Sequence, residues 1–132
     1  MFGGYVLSIK ITIDLARSPH VVLDDKNTVE LVKCLFEETG GTRDLEETLR
    51  IVKNFDEYYR FSKRKFEEYI TPQKDHREVV LGRAVVHKLR LFMEDNNRKV
   101  ELIFDRRFDI KVLENCLKNI GFKEIVIEKQ LF

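Results

Sequence analysis

The sequence of 132 residues lacks an apolar run of about eighteen residues or more, which is the length that a membrane-spanning helix needs. Its first residues, 1–5, also lack the basic stretch and the apolar segment of a signal peptide. We therefore expect a cytoplasmic protein that has no contact with a membrane.

Cysteine is scarce, with only Cys34 and Cys116 in the whole chain. Two cysteines are too few for a disulfide framework, and their spacing is not that of a zinc-binding motif. Because unpaired cysteine usually behaves as a small buried apolar residue, we interpret both as core residues on helices and expect neither a disulfide nor a nucleophile.

An excess of charge of one sign is also missing, because 24 Lys and Arg residues face 23 Asp and Glu residues and leave a formal net charge of +1. This balance argues against binding to polyanions by bulk attraction. Charged residues nevertheless make up 36% of the chain, against about 25% in typical globular domains. Such an ion-rich composition is typical of heat-adapted proteins.

Sequence motifs of the common enzyme classes are absent as well. The chain has no phosphate-binding P-loop, no dinucleotide-binding glycine motif, no nucleophile elbow and no zinc-protease motif. Its three serines, Ser8, Ser18 and Ser62, stand in no context that would activate a hydroxyl. We therefore expect no cofactor, and the balance of these absences favours a non-enzymatic protein without deciding the question.

The sequence does contain a clear first strand, because six apolar residues between Tyr5 and Leu15 alternate with other residues without a miss. Residues 21–23 form either a short pairing strand or an extended lead-in to a helix. Asn27 and Glu30 have the spacing of a capping box at the start of that helix, and Gly40 with Gly41 ends it.

Two long helices are predicted next. Apolar residues of the segment 45–70, Phe66 among them, share one helical arc that ends before Pro72. At about 39 Å this helix would exceed the roughly 36 Å diameter of a compact domain, so it must cross the domain, bend or project. Thr71 and Pro72 then begin a third helix that runs to Asp95, and the two helices form an antiparallel hairpin over about residues 43–95.

The C-terminal part has a strand at 100–104, a helix that Asp109 caps, and a final strand at 124–128. Gly121 and Phe122 have the form of a Schellman motif after the helix. This β-α-β unit, at about 99–129, leaves its two strands parallel or nearly adjacent. We expect one α+β domain over residues 1–132, with a mixed sheet of three to four strands that helices cover. The helical hairpin is inserted between strand one and the C-terminal unit.

Aromatic and basic residues are concentrated near the end of the second helix. Phe61 lies on its polar side, Tyr58 borders that side, and Arg64 and Lys65 are neighbours. An apolar ring among charges suits a surface that another protein covers. Our first hypothesis is a non-enzymatic interaction module that self-associates or docks a partner protein through Tyr58, Phe61, Arg64 and Lys65.

Two alternatives remain open. His76, Arg83, His87 and Arg90 would form a basic ribbon on one side of the third helix and, with Arg60, bind the phosphates of a nucleic acid. Asp14 and Asp105, at strand ends, would converge with Asp109 on a divalent metal if their strands were neighbours, as a hydrolase or nuclease requires.

Overall fold

The computed structural model describes residues 7–130 of the chain. These residues form five strands and five helices. The strands are β1 (Ser8–Ile13), β2 (Pro19–Asp24), β3 (Val86–Glu94), β4 (Asn97–Phe104) and β5 (Glu124–Lys129). The helices are α1 (Asp25–Thr39), α2 (Arg43–Lys53), α3 (Phe55–Arg64), α4 (His76–Val80) and α5 (Ile110–Asn119). No helix in the described part of the chain has the length and apolar character needed to cross a membrane.

All five strands belong to one mixed sheet with the order β3-β4-β2-β1-β5. Only β1 and β5 pair in parallel, and the other three pairs are antiparallel. The α+β class and the mixed sheet are therefore confirmed. The predicted three to four strands are too few, because residues 86–94 add a strand and residues 19–24 form a full pairing strand. The strands of the C-terminal unit are parallel as predicted, with β2 and β1 between them.

The period-two pattern of the first strand explains which face of the sheet is buried. Ile9 and Ile11 of β1 join the core, whereas Lys10 and Thr12 lie on the opposite face, which we call the outer face. On the core side, leucines of the sheet pack with leucines of α1, α2 and α5. The predicted strand residues Tyr5 and Val6 lie outside the described residues.

Of the three possibilities for the long helix, the structure shows the bend, because the segment divides at Asn54 into α2 and α3; the predicted end near Ile70 is wrong, since α3 ends at Arg64. The side-chain Nδ2 of Asn54 donates to the carbonyl of Arg50 at 2.8 Å, a local bond that competes with helix continuation. Phe66 then has a left-handed φ of 54°. Ile70 instead exchanges two backbone hydrogen bonds with Leu89 of β3, at 2.7 and 2.9 Å.

The predicted third helix is wrong over most of its length. Asp75, not Thr71, caps the five-residue α4, and Gly82 follows with a φ of 71°. From residue 86 onward the chain is a strand, because Asp95 and Asn96, with φ values of 51° and 64°, turn it back into an antiparallel pair with β4. The helical hairpin over residues 43–95 therefore does not exist.

Three predictions about helix ends are confirmed and one is corrected. Gly40 ends α1 in the left-handed region, and the Asp109 side chain caps α5. After α5, the N–H of Phe122 donates to the Leu117 carbonyl at 3.0 Å, as in a Schellman motif. The start of α1 is different, because Asp24 caps it and no capping box forms at Asn27.

Cys34 and Cys116 form a disulfide, which corrects the prediction that both are unpaired core residues. Their Cα atoms are 5.7 Å apart, although 82 residues separate them in the sequence. The pair links α1 to α5. Such a pairing depends on how the two helices pack, and the spacing of two cysteines carries no information about it.

Candidate functional site

The end of α3 and the residues that follow it present two phenylalanine rings to solvent. Phe61 is 46% exposed and Phe66 is 95% exposed. We call residues 58–66 the α3 tip. The sequence pattern places Phe66 in the core, and this prediction is wrong because α3 ends at Arg64 and the left-handed backbone at Phe66 directs the ring away from the protein.

Four cations accompany these rings, namely Arg60, Lys63, Arg64 and Lys65. None of the four forms an ion pair within 4.0 Å in the described part of the chain. The ammonium of Lys65 lies 5.7 Å from the Phe61 ring centre, and that of Lys63 lies 5.4 Å from the Tyr59 ring centre. Two of the four cations of the tip thus lie close to its aromatic rings.

Tyr58, the fourth residue of the predicted contact surface, has a different position from Phe61. Its ring packs against the core, and its hydroxyl accepts a hydrogen bond from the guanidinium of Arg50. That guanidinium also lies over the Tyr58 ring at 5.6 Å. Tyr58 therefore supports the base of the tip, whereas Phe61 and Phe66 form its exposed apolar part.

A second group of functional side chains lies on the outer face of the sheet. His20 of β2 contacts two carboxylates, with Nε2 at 2.6 Å from Asp14 Oδ2 and Nδ1 at 3.3 Å from Glu101 Oε2. The other oxygen of Glu101 accepts from Arg90 Nε at 3.0 Å. We call Asp14, His20, Glu101 and Arg90 the outer-face ion chain.

The ion chain changes the acidity of its members. Hydrogen bonding to Glu101, aided by Asp14 and opposed by burial, raises the pKa of His20. The bond from His20 also lowers the pKa of Glu101. For Asp14, burial opposes the change, but bonds from His20 and from the backbone of Ser18 and Ala16 lower its pKa. The cationic form of His20 is therefore stabilised.

A shallow cavity of about 590 Å³ adjoins this chain and is lined by Lys10, Thr12, Val22, Tyr69 and other residues. Burial and the nearby Glu101 raise the pKa of Tyr69. Both ring nitrogens of His20 already contact carboxylates, so neither is directed at the cavity as a base. The arrangement links the β1–β2 turn to β4 and β3 by charge.

The basic ribbon of the nucleic-acid hypothesis is not formed, because its residues do not share a helix. His76 belongs to α4, Arg83 lies in the irregular segment before β3, and His87 and Arg90 lie on β3. Arg90 is engaged with Glu101, and burial together with Lys74 and Lys88 lowers the pKa of His87. Arg60 belongs to the α3 tip instead.

The acids of the metal hypothesis are each engaged separately. Asp14 follows β1 and Asp105 follows β4, and these two parallel strands end on the same side of the sheet. However, β2 lies between them. Asp14 contacts His20, Asp105 accepts from Arg107 Nε at 3.2 Å, and Asp109 caps α5. Among residues 7–130, no group of three or more His, Cys, Asp or Glu side chains is placed to hold a metal ion.

Comparison with protein-family models, with curated proteins and with solved structures gives no match to this chain. Its function must therefore be inferred from its own geometry.

Sequence patterns miss the pairing of His20 with Glu101 because it depends on the register of β2 against β4. They miss the exposure of Phe66 because its spacing also fits a helical core. One signal does point to the strand that replaces the third helix, namely the Asp95–Asn96 turn, which has the residues that favour a two-residue hairpin.

Proposed function

We propose that this protein is a non-enzymatic docking module that binds an acidic surface of a partner protein through the α3 tip. The observation that carries the proposal is the 95% exposure of the Phe66 ring beside a group of cations that form no ion pairs within the described part of the chain. Each feature alone is common on protein surfaces, but a partner surface would use both.

The position of Phe66 is unfavourable for the isolated chain. Burial of a phenylalanine side chain contributes about 1.5–3 kcal/mol, and this gain is absent here. A left-handed backbone at a residue with a side chain costs about 1–2 kcal/mol. Strain of this kind often occurs where a side chain is held for function. A partner that covers Phe66 and Phe61 would recover the missing burial.

The charge of the tip selects among the partners. Two copies of the tip in a two-fold contact would bring eight cations together, which opposes self-association through this surface alone. An acidic partner would neutralise them, as electrostatic complementarity requires. A protein partner can also place basic side chains opposite Glu57, Glu67 and Glu68 beside its acidic surface, whereas a nucleic acid has only phosphates to present to them.

Single-stranded nucleic acid is the second candidate. Exposed aromatic rings among cations are the usual elements of a stacking surface, and Phe61 with Arg60, Arg64 and Lys65 would provide them. This candidate differs from the ribbon hypothesis, because it uses the α3 tip and leaves β3 free. It predicts binding that weakens steeply with salt.

A photo-crosslinking experiment tests the proposal. Phe66 is replaced by the photoreactive analogue benzoylphenylalanine in cells of the source organism, and crosslinked products are identified by mass spectrometry. Crosslinks to an acidic segment of another protein support the proposal when Lys65→Glu abolishes them and Lys26→Glu, an equal charge change on α1, does not. Crosslinks to nucleic acid or to a second copy of the chain overturn it, as does a lack of any tip-dependent product.

A further inference from the structure

A cavity of about 820 Å³ opens at the end of the sheet where β1 and β5 finish, and we call it the strand-end cavity. The two strands run in parallel, so their last residues meet at this end of the sheet, beside the first turn of α5. The volume is within the range of about 300–1,000 Å³ that is typical of sites for small molecules. The cavity is separate from the α3 tip, because α3 packs beside β3, at the opposite edge of the sheet from β5.

Apolar side chains form one part of the lining. Phe108 is partly buried and stacks on the buried ring of Phe104, with the ring centres 5.7 Å apart, which fixes its position. Leu15 and Ile127, in contrast, are 65% and 44% exposed. Ile127 lies in the same row of the sheet as its fully buried partner in β1, Ile11. Apolar surface that remains uncovered in a concave site is available to the apolar part of a ligand.

The two acids of the lining are engaged by groups outside the cation set of the cavity. Both oxygens of Asp14 are used, because Oδ2 contacts His20 at 2.6 Å, and Oδ1 accepts from the backbone N–H groups of Ala16 and Ser18 at 2.8 and 2.9 Å. Asp109 caps α5, and the positive end of that helix offsets part of its charge. Neither carboxylate forms an ion pair with a cation of the lining in the described part of the chain.

Three cations line the strand-end cavity, namely Arg17, Arg106 and Lys129. All three are exposed, and none forms an ion pair within 4.0 Å among residues 7–130. They come from three separate segments, which are the β1–β2 turn, the residues after β4 and the end of β5. The cavity thus combines an uncovered apolar lining with positive charge that its own acids do not balance.

From this combination we infer that the strand-end cavity binds a small amphipathic anion, which has an apolar body and one carboxylate or phosphate head group. The body covers Leu15, Phe108 and Ile127, and the head group pairs with the cations of the lining. Guanidinium groups suit either head group because they donate to two oxygens at once. A neutral or cationic amphiphile would leave these cations unpaired, and an anion without an apolar body would leave the apolar lining uncovered.

The test titrates the isotope-labelled full chain with decanoate, below the concentration at which decanoate forms micelles, and follows the backbone amide signals by NMR. We expect saturable shifts around the cavity, in residues 15–19, 106–110 and 127–130, and none in the α3 tip. Decyl phosphate, titrated in the same way, identifies which head group is preferred. Decyltrimethylammonium, which has the same chain with a positive charge, should bind at least about tenfold more weakly. Equal binding of this cation overturns the role of charge, and a lack of any saturable shift at the cavity by either anion overturns the proposal.

Variants separate the cavity from general surface charge. The double variant Arg17→Glu, Arg106→Glu should weaken the binding of decanoate about tenfold or more. The double variant Lys26→Glu, Lys123→Glu makes an equal change of charge at the opposite end of the sheet, after β2 and before β5, and keeps the affinity. Leu15→Ser should also weaken binding, because it removes apolar contact. Unchanged affinity in both cavity variants overturns the proposal.

The substituted side chains are exposed, so folding should be retained, which circular dichroism checks. Arg17→Gly keeps the test decisive if the double variant fails to fold. It removes one cation, and glycine freely adopts the left-handed φ of 71° that Arg17 has. Weaker binding of decanoate by this folded variant supports the proposal, and unchanged binding overturns the role of Arg17.

The same NMR signals test the class of ligand and the independence of the two sites. The variant Lys65→Glu, Phe66→Asp leaves the binding of decanoate unchanged, and this holds whether or not the α3 tip docks a partner. Loss of binding in this variant overturns the assignment to the cavity. A peptide of glutamate and leucine, or a short single-stranded RNA, that shifts the cavity signals at a lower concentration than both small anions overturns the choice of a small ligand.

Discussion

His20 and Glu101 are 81 residues apart in the sequence, yet Nδ1 of the imidazole lies 3.3 Å from Oε2 of the carboxylate. They meet because β2 and β4 pair in a register that places His20 opposite Ile103 and Val22 opposite Glu101. Asp14 contacts the other ring nitrogen at 2.6 Å. A ring that donates to two carboxylates must carry a proton on both nitrogens, and the imidazolium is therefore the form that satisfies the ion chain.

The ion chain should make folding stability depend on pH. The pKa of His20 is raised, so its contribution is complete below the ordinary value of 6.5 and is lost as pH rises through the raised value. Asp14 and Glu101 have lowered pKa values, so their contributions are complete above the ordinary values of 3.8 and 4.5 and are lost as pH falls. The chain is then most stabilising between about pH 4.5 and 6.5.

The variant His20→Gln isolates this effect. It should remove most of the decrease in unfolding free energy above pH 6.5, measured by urea denaturation across a pH series. Comparison with wild type is essential because His87 has a lowered pKa, and its neutral form therefore stabilises the protein in the opposite direction, with a loss as pH falls below 6.5. Parallel pH profiles in wild type and His20→Gln would show that the chain does not contribute.

The disulfide should contribute a large part of the total stability. Closing a loop at the sequence separation of 82 between Cys34 and Cys116 corresponds to about 4.5 kcal/mol in the chain-entropy account. We expect Cys34→Ser to lower the unfolding free energy by about that amount. Wild type under strong reductant should show the same loss, and the variant should not respond to reductant.

If reduction leaves the melting temperature unchanged, the link between α1 and α5 is not formed in solution. The effect of reductant also bears on where the protein resides in the cell, which we expect to be the cytoplasm. Cytoplasmic proteins retain structural disulfides mainly in hyperthermophiles. A stable disulfide in the cytoplasm would therefore agree with the ion-rich composition of a heat-adapted protein.

Asp44 is a buried carboxylate that connects two parts of the fold. It accepts from the Thr42 hydroxyl and from the backbone N–H of Val85, the latter at 2.8 Å. Replacing Asp44 with Ala would leave the buried Val85 N–H without its acceptor, at a cost of about 1.5–3 kcal/mol. Thermal denaturation should show a smaller loss for Asp44→Asn, which retains an acceptor. Equal stability of the two variants would contradict this account.

Much of the fold could be predicted from local sequence signals. The alternation in β1, the Gly40 stop, the Asp109 cap and the Gly121 motif all depend on neighbouring residues, and all are confirmed. The strand β3 could not be predicted, and a helix was expected in its place, because its apolar residues fit a helical stripe as well as a strand. Pairing with β4 decides between the two, and propensity gives no information about that pairing.

For the candidate sites too, features that depend on neighbouring residues could be predicted, and features that depend on tertiary contacts could not. The aromatic and basic composition of the α3 tip is visible in the sequence, and so is Phe61. The exposure of Phe66 depends on where α3 ends, and the contact of His20 with Glu101 depends on strand register.

Substitutions of Phe66 should affect partner binding without affecting the stability of the fold. Because its ring is 95% exposed, Phe66→Asp should change the unfolding free energy by less than about 0.5 kcal/mol, whereas Leu117→Ala in the core should cost about 2–5 kcal/mol. Phe66→Gly removes the strain of a φ of 54° and should leave stability equal or slightly higher, since glycine adopts this conformation freely.

Both variants of Phe66 should lose crosslinking to an acidic partner, measured from a photoreactive group at Phe61. The core variant Leu117→Ala should retain this crosslinking at temperatures where it is folded. A loss of stability as large as that of Leu117→Ala would mean that Phe66 packs inside the protein, and the α3 tip would then have no exposed ring to offer at that position.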